Sequence, residues 1–305
     1  MRIGAHESIA GGMHKAFERA KSVGCDAVQL FVKPNRQWAV PVLTQEAIAK
    51  FRSFAQTTGI WPIVGHTSYL LNLCSPQDEL WQKSVDTLVV ELERCEALGA
   101  PWLVLHPGAH VGSGEEAGLG RMARALGEVH AATRGFRARL LLETTAGQGT
   151  QLGYCFEHLA WLLERTPGGE RLGVCLDTCH VFAAGYDLRT PAGYAATMAA
   201  FDSTIGLDRL EVIHLNDSKG ELGSRKDRHE HIGEGHIGLA GFRNVLNDPR
   251  LARLPGILET PKSDDLHEDR ENLAVLRGLY QARAYSESSV SSRPEYPSVS
   301  DDCVN

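Results

Sequence analysis

The sequence contains no run of 18 apolar residues, so no membrane-spanning helix is expected. It begins MRIGAHES, without a basic segment followed by an apolar stretch, and no secretory leader is expected. It has no Cys-x-x-Cys pair. Its seven cysteines, Cys25, Cys74, Cys95, Cys155, Cys175, Cys179 and Cys303, are scattered and odd in number. That pattern argues against a disulfide framework and against a Cys-rich structural zinc site. It fits buried free thiols in a reducing cytoplasm. An excess of positive charge is also missing. Lys and Arg number 31 against 38 Asp and Glu, a formal net charge of -7, which by itself speaks against a nucleic-acid binder.

The chain has 305 residues, 43% hydrophobic and 23% charged, ample for a large core. Eight short apolar runs rich in Val, Ile and Leu recur along it: Arg2–Ala5, Ala27–Val32, Pro62–Val64, Trp102–Leu105, Leu140–Leu142, Leu172–Leu176, Leu210–Leu215 and Gly256–Leu258. Most are too short for helices and read as strands buried on both faces. Between them lie helical patterns at Met13–Val23, Thr44–Thr58, Gln77–Leu98, Glu115–Thr133, Phe156–Arg165, Ala192–Ile205, Leu239–Leu246 and Leu266–Ala282. Several stop at a glycine, and Thr44 suits an N-cap. Eight strands alternating with eight helices predict an α/β fold, a single-domain (β/α)8 TIM barrel over residues 1–282. From residue 283 to 305 the chain is rich in Ser and Pro without hydrophobic periodicity, and a disordered tail is expected.

Six successive apolar runs finish on a metal-ligand type: His66, His106, Glu143, Asp177, His214 and Glu259, spaced 34 to 45 residues apart. In a barrel the C-terminal strand ends meet at one rim, so these side chains converge. A single His or Asp at a strand end is most simply a loop cap. Six in register, buried together, call for a shared cation. More candidates adjoin them. His180 lies three residues past Asp177. Asp227 and His229 sit at i, i+2 and face the same way in an extended segment, and His231 shares that face, so spacing alone leaves His229 and His231 open. Mixed imidazole and carboxylate ligation suits zinc, manganese or iron, and nine ligands are too many for one zinc or a typical pair. Cys175 and Cys179 lie nearby but read better as core packing. The segment Gly108–Gly114 lacks the Lys and Ser/Thr of a phosphate-binding P-loop. His6 and His110 read as hydrogen-bonding or surface residues near the rim.

The motifs His66-Thr-Ser-Tyr-Leu-Leu-Asn-Leu, Leu105-His-Pro-Gly, Leu142-Glu-Thr-Thr-Ala-Gly-Gln-Gly, Cys175-Leu-Asp-Thr-Cys-His, Ile213-His-Leu-Asn-Asp-Ser-Lys, Asp227-Arg-His and Ile257-Leu-Glu-Thr-Pro resemble the endonuclease IV family of apurinic/apyrimidinic endonucleases. The resemblance runs from the first strand to about residue 280. It implies a TIM barrel with three Zn2+ ions per chain, with Mn2+ or Fe2+ an option at one position. One zinc would take His66, His106 and Glu143; a second would share Glu143 and add Asp177, His214 and Glu259; the third would take His180, Asp227 and His229, which settles the choice over His231. The implied reaction is hydrolysis of the phosphodiester bond 5′ to an abasic site in double-stranded DNA, leaving a 3′-hydroxyl and a 5′-deoxyribose phosphate, together with removal of blocked 3′ ends. Glu143 and Glu259 are the expected catalytic carboxylates.

The resemblance further implies that Arg36, Tyr69 and Leu70 insert at the lesion, with Asn35 beside them, because an abasic site offers no base to read. The locally basic segment Lys219–Arg228, with Lys226, suits phosphate contact. The acidity objection then weakens: four carboxylates belong to the metal site, and three Zn2+ ions would bring the formal balance from -7 to about -1. A monomer without membrane contact is expected. The alternatives are a divalent-metal sugar isomerase on the same barrel and a non-catalytic lesion binder. Neither explains both the third cluster with its open positions and the Arg36 and Tyr69 loops.

Overall fold

The structure is a computed structural model describing residues 1–280; the tail expected over 283–305 lies outside the described residues. In chain order the strands are β1 (Arg2–His6), β2 (Ala27–Phe31), β3 (Ile63–His66), β4 (Trp102–Leu105), β5 (Arg139–Glu143), β6 (Leu172–Asp177) and β7 (Leu210–His214), then the short antiparallel β8 (Asp217–Ser218) and β9 (His229–Glu230), and finally β10 (Pro255–Leu258). Strands β1 to β7 and β10 are parallel and close into a barrel, with Arg2–Ala5 pairing Pro255–Leu258 at the seam. The helices are α1 (Lys15–Val23), α2 (Gln45–Thr58), α3 (Asp78–Leu98), α4 (Glu115–Ala132), α5 (Phe156–Arg165), α6 (Thr178–Ala184), α7 (Pro191–Thr204), α8 (Gly238–Leu246) and α9 (His267–Leu279). This is the expected TIM barrel. None of the helices among the described residues is long and apolar enough to cross a membrane.

Local chemistry sets the element ends. The Thr44 hydroxyl accepts a hydrogen bond from Ala47 N–H and opens α2, and Gly59, at φ 70°, ends it in the left-handed region. In β1, Gly4 lies so close to β2 that a Cβ would run into the Ala27 carbonyl. Glycine is what lets the two strands pair.

Two features depart from strict alternation of eight strands and eight helices. Helix α6 is an extra element, and a β8–β9 ribbon interrupts the connection from β7 to α8. Helix α6 has seven residues, of which Thr178–Ala183 are all buried, so no polar face marks a helical period. The ribbon strands have two residues each, below any sequence pattern.

The barrel interior is plugged by a separate cluster, Ala27, Val64, Val104, Leu141, Cys175, Val212 and Ile257, one from each of β2 to β7 and β10. Gly4 completes the level on β1, paired with Ala27 and Ile257. A larger apolar layer lies between strands and helices. Side chains alternate along a strand, so the residue two positions beyond each plug residue faces the interior one level nearer the rim. That next level is His6, Gln29, His66, His106, Glu143, Asp177, His214 and Glu259. The strand period, stacked on an apolar plug, builds the site.

Candidate metal centre

Three groups of ligand atoms converge above the plug: His66, His106 and Glu143; Glu143, Asp177, His214 and Glu259; and His180, Asp227 and His229. Within each group the ligand atoms lie within 4.8 Å of one another. The buried Glu143 faces two groups. Its Oε2 is 3.2 Å from His66 Nε2 and 3.1 Å from His106 Nε2, while its Oε1 is 3.1 Å from His214 Nδ1. Glu259 Oε2 also lies 3.1 Å from His214 Nδ1. In the third group His180 Nε2 is 3.2 Å from Asp227 Oδ1 and 3.4 Å from His229 Nε2.

Each element delivers its ligand for a local reason. Asp177 ends β6 and caps α6, its Oδ1 accepting from His180 N–H at 2.8 Å, so the first helical turn swings His180 over the same side. The segment carrying Asp227 and His229 is anchored beneath by Asp217, a buried carboxylate that accepts from the backbone N–H groups of Gly233, Ile237 and Gly238. Gln148 Oε1 accepts from Asp227 N–H at 3.1 Å.

The outward nitrogens of four histidines are occupied. His66 Nδ1 is 2.8 Å from Thr67 O, His180 Nδ1 is 2.8 Å from Thr144 O, His229 Nδ1 is 3.0 Å from Glu259 O, and His214 Nε2 is 2.8 Å from Gln29 Oε1. A carbonyl or amide oxygen only accepts, so each outward nitrogen carries a proton and the inward nitrogen is the one that could face a metal ion. Metal-bound histidines are held in this way. Gln29 and Asn216 do the same for carboxylates. Gln29 Nε2 donates to Glu259 Oε1 at 2.6 Å, and Asn216 Nδ2 donates to Asp177 Oδ2 at 2.7 Å. Sequence reading missed both. The signals were a polar residue inside the apolar β2 run, and an Asn two residues past His214.

The electrostatics call for positive charge. Glu143, Asp177 and Glu259 have ligand oxygens within 4.8 Å of one another. At an effective dielectric of ~20, each pair of ionised carboxylates repels by about 3.5 kcal/mol or more. Burial pushes the imidazoles of His106, His180 and His214 toward neutrality, yet the surrounding groups outweigh it and raise all three. Glu143 raises His106, Asp177 with Asp227 raises His180, and the carboxylates Glu259 and Glu143 raise His214. Burial works equally against ionised Glu143, Glu259 and Asp227, and the neighbouring imidazoles still pull all three carboxyls down. Neutral inward lone pairs and ionised carboxylates coexist comfortably only around cations, and the mixed donor set fits a divalent metal.

The remaining sequence candidates fall around this centre. Tyr69, 64% exposed, and Leu70 line a cavity of about 290 Å³ with His66, His106 and Asp227. The Tyr69 ring makes an edge contact with Phe31, which lines a second cavity of about 290 Å³ together with Asn35, Lys33, His6 and Lys262. Arg36 and Lys226 are exposed on the β2–α2 and β8–β9 loops. His231 turns away to Asn272 (Nδ1 to Nδ2 3.1 Å), leaving His229 in the cluster. His6 Nδ1 contacts Glu259 Oε1 at 3.2 Å, and His110 Nδ1 accepts from Gly114 N–H. Cys175 sits in the plug. Cys179 lies within ligand distance of Asp177 and His229. Burial pushes both thiols up to about 12, so neither is a thiolate near neutral pH.

Residues 17–279 match the family model described as a xylose isomerase-like TIM barrel. A Chloroflexus aurantiacus protein named "Probable endonuclease 4" is 56% identical over 280 residues, 92% of this chain and 98% of the relative. A Geobacter sulfurreducens protein of the same name is 48% identical, covering 93% and 96%. The crystal structure of endonuclease IV from Thermus thermophilus aligns with TM-score 0.81 and 41% identity over 92% of this chain and 98% of that one. A D-psicose 3-epimerase from Clostridium cellulolyticum shares the fold at 14% identity, TM-score 0.66. The chain belongs to the endonuclease IV family of apurinic/apyrimidinic endonucleases and is a hydrolase.

Proposed function

We propose that this enzyme is a zinc-dependent DNA-repair endonuclease that hydrolyses the phosphodiester bond 5′ to abasic sites in duplex DNA, leaving a 3′-hydroxyl and a 5′-deoxyribose phosphate. The observation that supports it most directly is the two-sided Glu143, with one oxygen toward His66 and His106 and the other toward His214. Such a carboxylate could be shared by two ions, and the His180, Asp227 and His229 group would supply a third position. On this reading His66, His106 and Glu143 hold one zinc, Glu143, Asp177, His214 and Glu259 a second, and His180, Asp227 and His229 a third. Zinc bound there supplies Lewis acidity toward phosphoryl oxygens and a water pKa lowered toward ~7.

The chain's own residues position everything else. Glu143 and Glu259 would fix the spacing at the centre and accept hydrogen bonds that orient the attacking water. Gln29 and Asn216 hold Glu259 and Asp177 in register. Tyr69 and Leu70, at the mouth of the metal cavity, and Arg36 with Asn35, on the loop beside it, fill the space of the missing base and keep the lesion extruded. Lys226 meets phosphate. The same centre serves blocked 3′ ends, whose phosphodiester chemistry is identical. The enzyme works as a cytoplasmic monomer, and manganese or iron can replace zinc at one position. The third ligand group and the exposed Tyr69 argue against a sugar isomerase.

End-group analysis tests the reaction. A duplex with one abasic site, labelled at its 5′ end, should yield a fragment that a DNA polymerase extends directly. Fragments bearing an unsaturated sugar at the 3′ end, or no incision, would overturn the reading.

A further inference from the structure

Immediately after His6, on the opposite face of the chain from the metal centre, Glu7 is completely buried, and neither carboxylate oxygen has a hydrogen-bond donor. Asp269, in the first turn of α9, is equally buried, and its Oδ1 also lacks a donor. Its Oδ2 accepts from Lys262 Nζ at 2.5 Å, and the same ammonium donates to the His6 carbonyl at 2.9 Å. His6 in turn places Nδ1 3.2 Å from Glu259 Oε1.

Two fully buried carboxylates facing one ammonium, the partly exposed Lys262, leave an unbalanced negative charge, which is costly. Orphaned acceptors on both carboxylates have one economical explanation. A proton on Glu7 turns one of its oxygens into a donor and gives Asp269 Oδ1 its missing partner. Burial is the largest influence raising the Glu7 carboxyl, to about 7; Lys262 opposes it and Asp269 reinforces it. The other charged or titratable groups facing the pair are Arg19 of α1, Glu268 of α9 and the Cys25 thiol, which burial keeps protonated.

We propose that Glu7 and Asp269 share one proton, and that with Lys262 they form a positioning device that fixes the His6 carbonyl and thereby sets the His6 ring against Glu259. The role for catalysis rests on the reading of Glu259 as a metal ligand; the shared proton does not. With the proton in place the trio is neutral, and Lys262 is free to hold the His6 carbonyl. Without it, a second carboxylate competes for that ammonium.

Infrared spectra of the full metal-loaded chain test the proton. The wild type should show a protonated-carboxyl C=O band at pH 6 that fades with a midpoint near 7, and Glu7→Gln should lack it. A wild type without that band, or a Glu7→Gln variant that keeps it, overturns the shared proton whether or not DNA is cut. Kinetics test positioning. Glu7→Leu leaves Asp269 Oδ1 with no donor but Lys262, which is then drawn from the His6 carbonyl, so kcat should fall about tenfold with KM unchanged; Glu7→Gln, which can still donate to Asp269, should restore kcat. Equal kcat in Glu7→Leu and wild type, or a Glu7→Gln variant as slow as Glu7→Leu, overturns the positioning role. If Glu7→Leu does not fold, a loss of kcat at unchanged KM in Lys262→Met takes its place, and normal kcat there counts against the proposal.

Discussion

Gln29→Leu isolates the principle that organises the metal centre. Gln29 is fully buried. Its Oε1 accepts from His214 Nε2 at 2.8 Å, and its Nε2 donates to Glu259 Oε1 at 2.6 Å. Leucine nearly conserves the volume, so packing against the plug survives. What disappears is the acceptor that keeps the His214 proton on the outward nitrogen, and a charge-assisted hydrogen bond to Glu259. An orphaned buried N–H costs about 1–3 kcal/mol. Loss of the partner that orients a metal-bound histidine typically costs ~10–100-fold in affinity, about 1.4–2.7 kcal/mol. The two routes agree. Competition against a chelator with a coloured zinc complex should therefore show the weakest-held metal of Gln29→Leu released at chelator concentrations about 10–100-fold lower than in wild type, with kcat reduced alongside. Metal affinity within twofold of wild type, in a variant with normal kcat, would refute the argument from outward nitrogens.

Other perturbations separate the remaining roles. Glu259→Gln removes a buried charge that faces His214 at 3.1 Å; incision should drop by at least ~100-fold while binding to abasic duplex, read by fluorescence anisotropy, stays near wild type. Tyr69→Ala truncates a side chain that is 64% exposed, so the melting temperature should hardly move while KM for abasic duplex rises. The Glu7 carboxyl is raised in the folded chain, from 4.5 to about 7; the folded state binds the extra proton across that window, so the contribution of Glu7 to stability is fully present below about 4.5 and is lost as pH rises through about 7. Glu7 alone contributes a slope worth about 3 kcal/mol over that window, and denaturant titrations at several pH values should show that component missing in Glu7→Gln.

The barrel was legible because buried parallel strands read as short apolar runs and their helices stop at glycines and caps. The ligands on β3 to β7 and β10 were legible because each strand end carried a chemically unusual residue one βα unit from the next. Helix α6 was not legible, since a buried seven-residue helix following a buried strand has no polar face to mark its period. Gln29 and His6 complete the ring that the ligands begin, yet they lie on the two strands that supply no ligand, and only register shows that they share its level. Spacing left His229 and His231 equivalent; the bond of His231 to Asn272 separates them. Glu7 and Asp269 are 262 positions apart, and no pattern in either segment announces that they meet.

On the proposed function, the three ligand groups hold three zinc ions and the enzyme so loaded cuts DNA at an abasic site. Metal content per chain, measured by plasma mass spectrometry on protein purified without chelator, tests it most directly when the same sample is assayed on a duplex with one abasic site. About three zincs per chain are expected, with incision 5′ to the lesion and loss of both after chelation. A single metal per chain with no incision would contradict it.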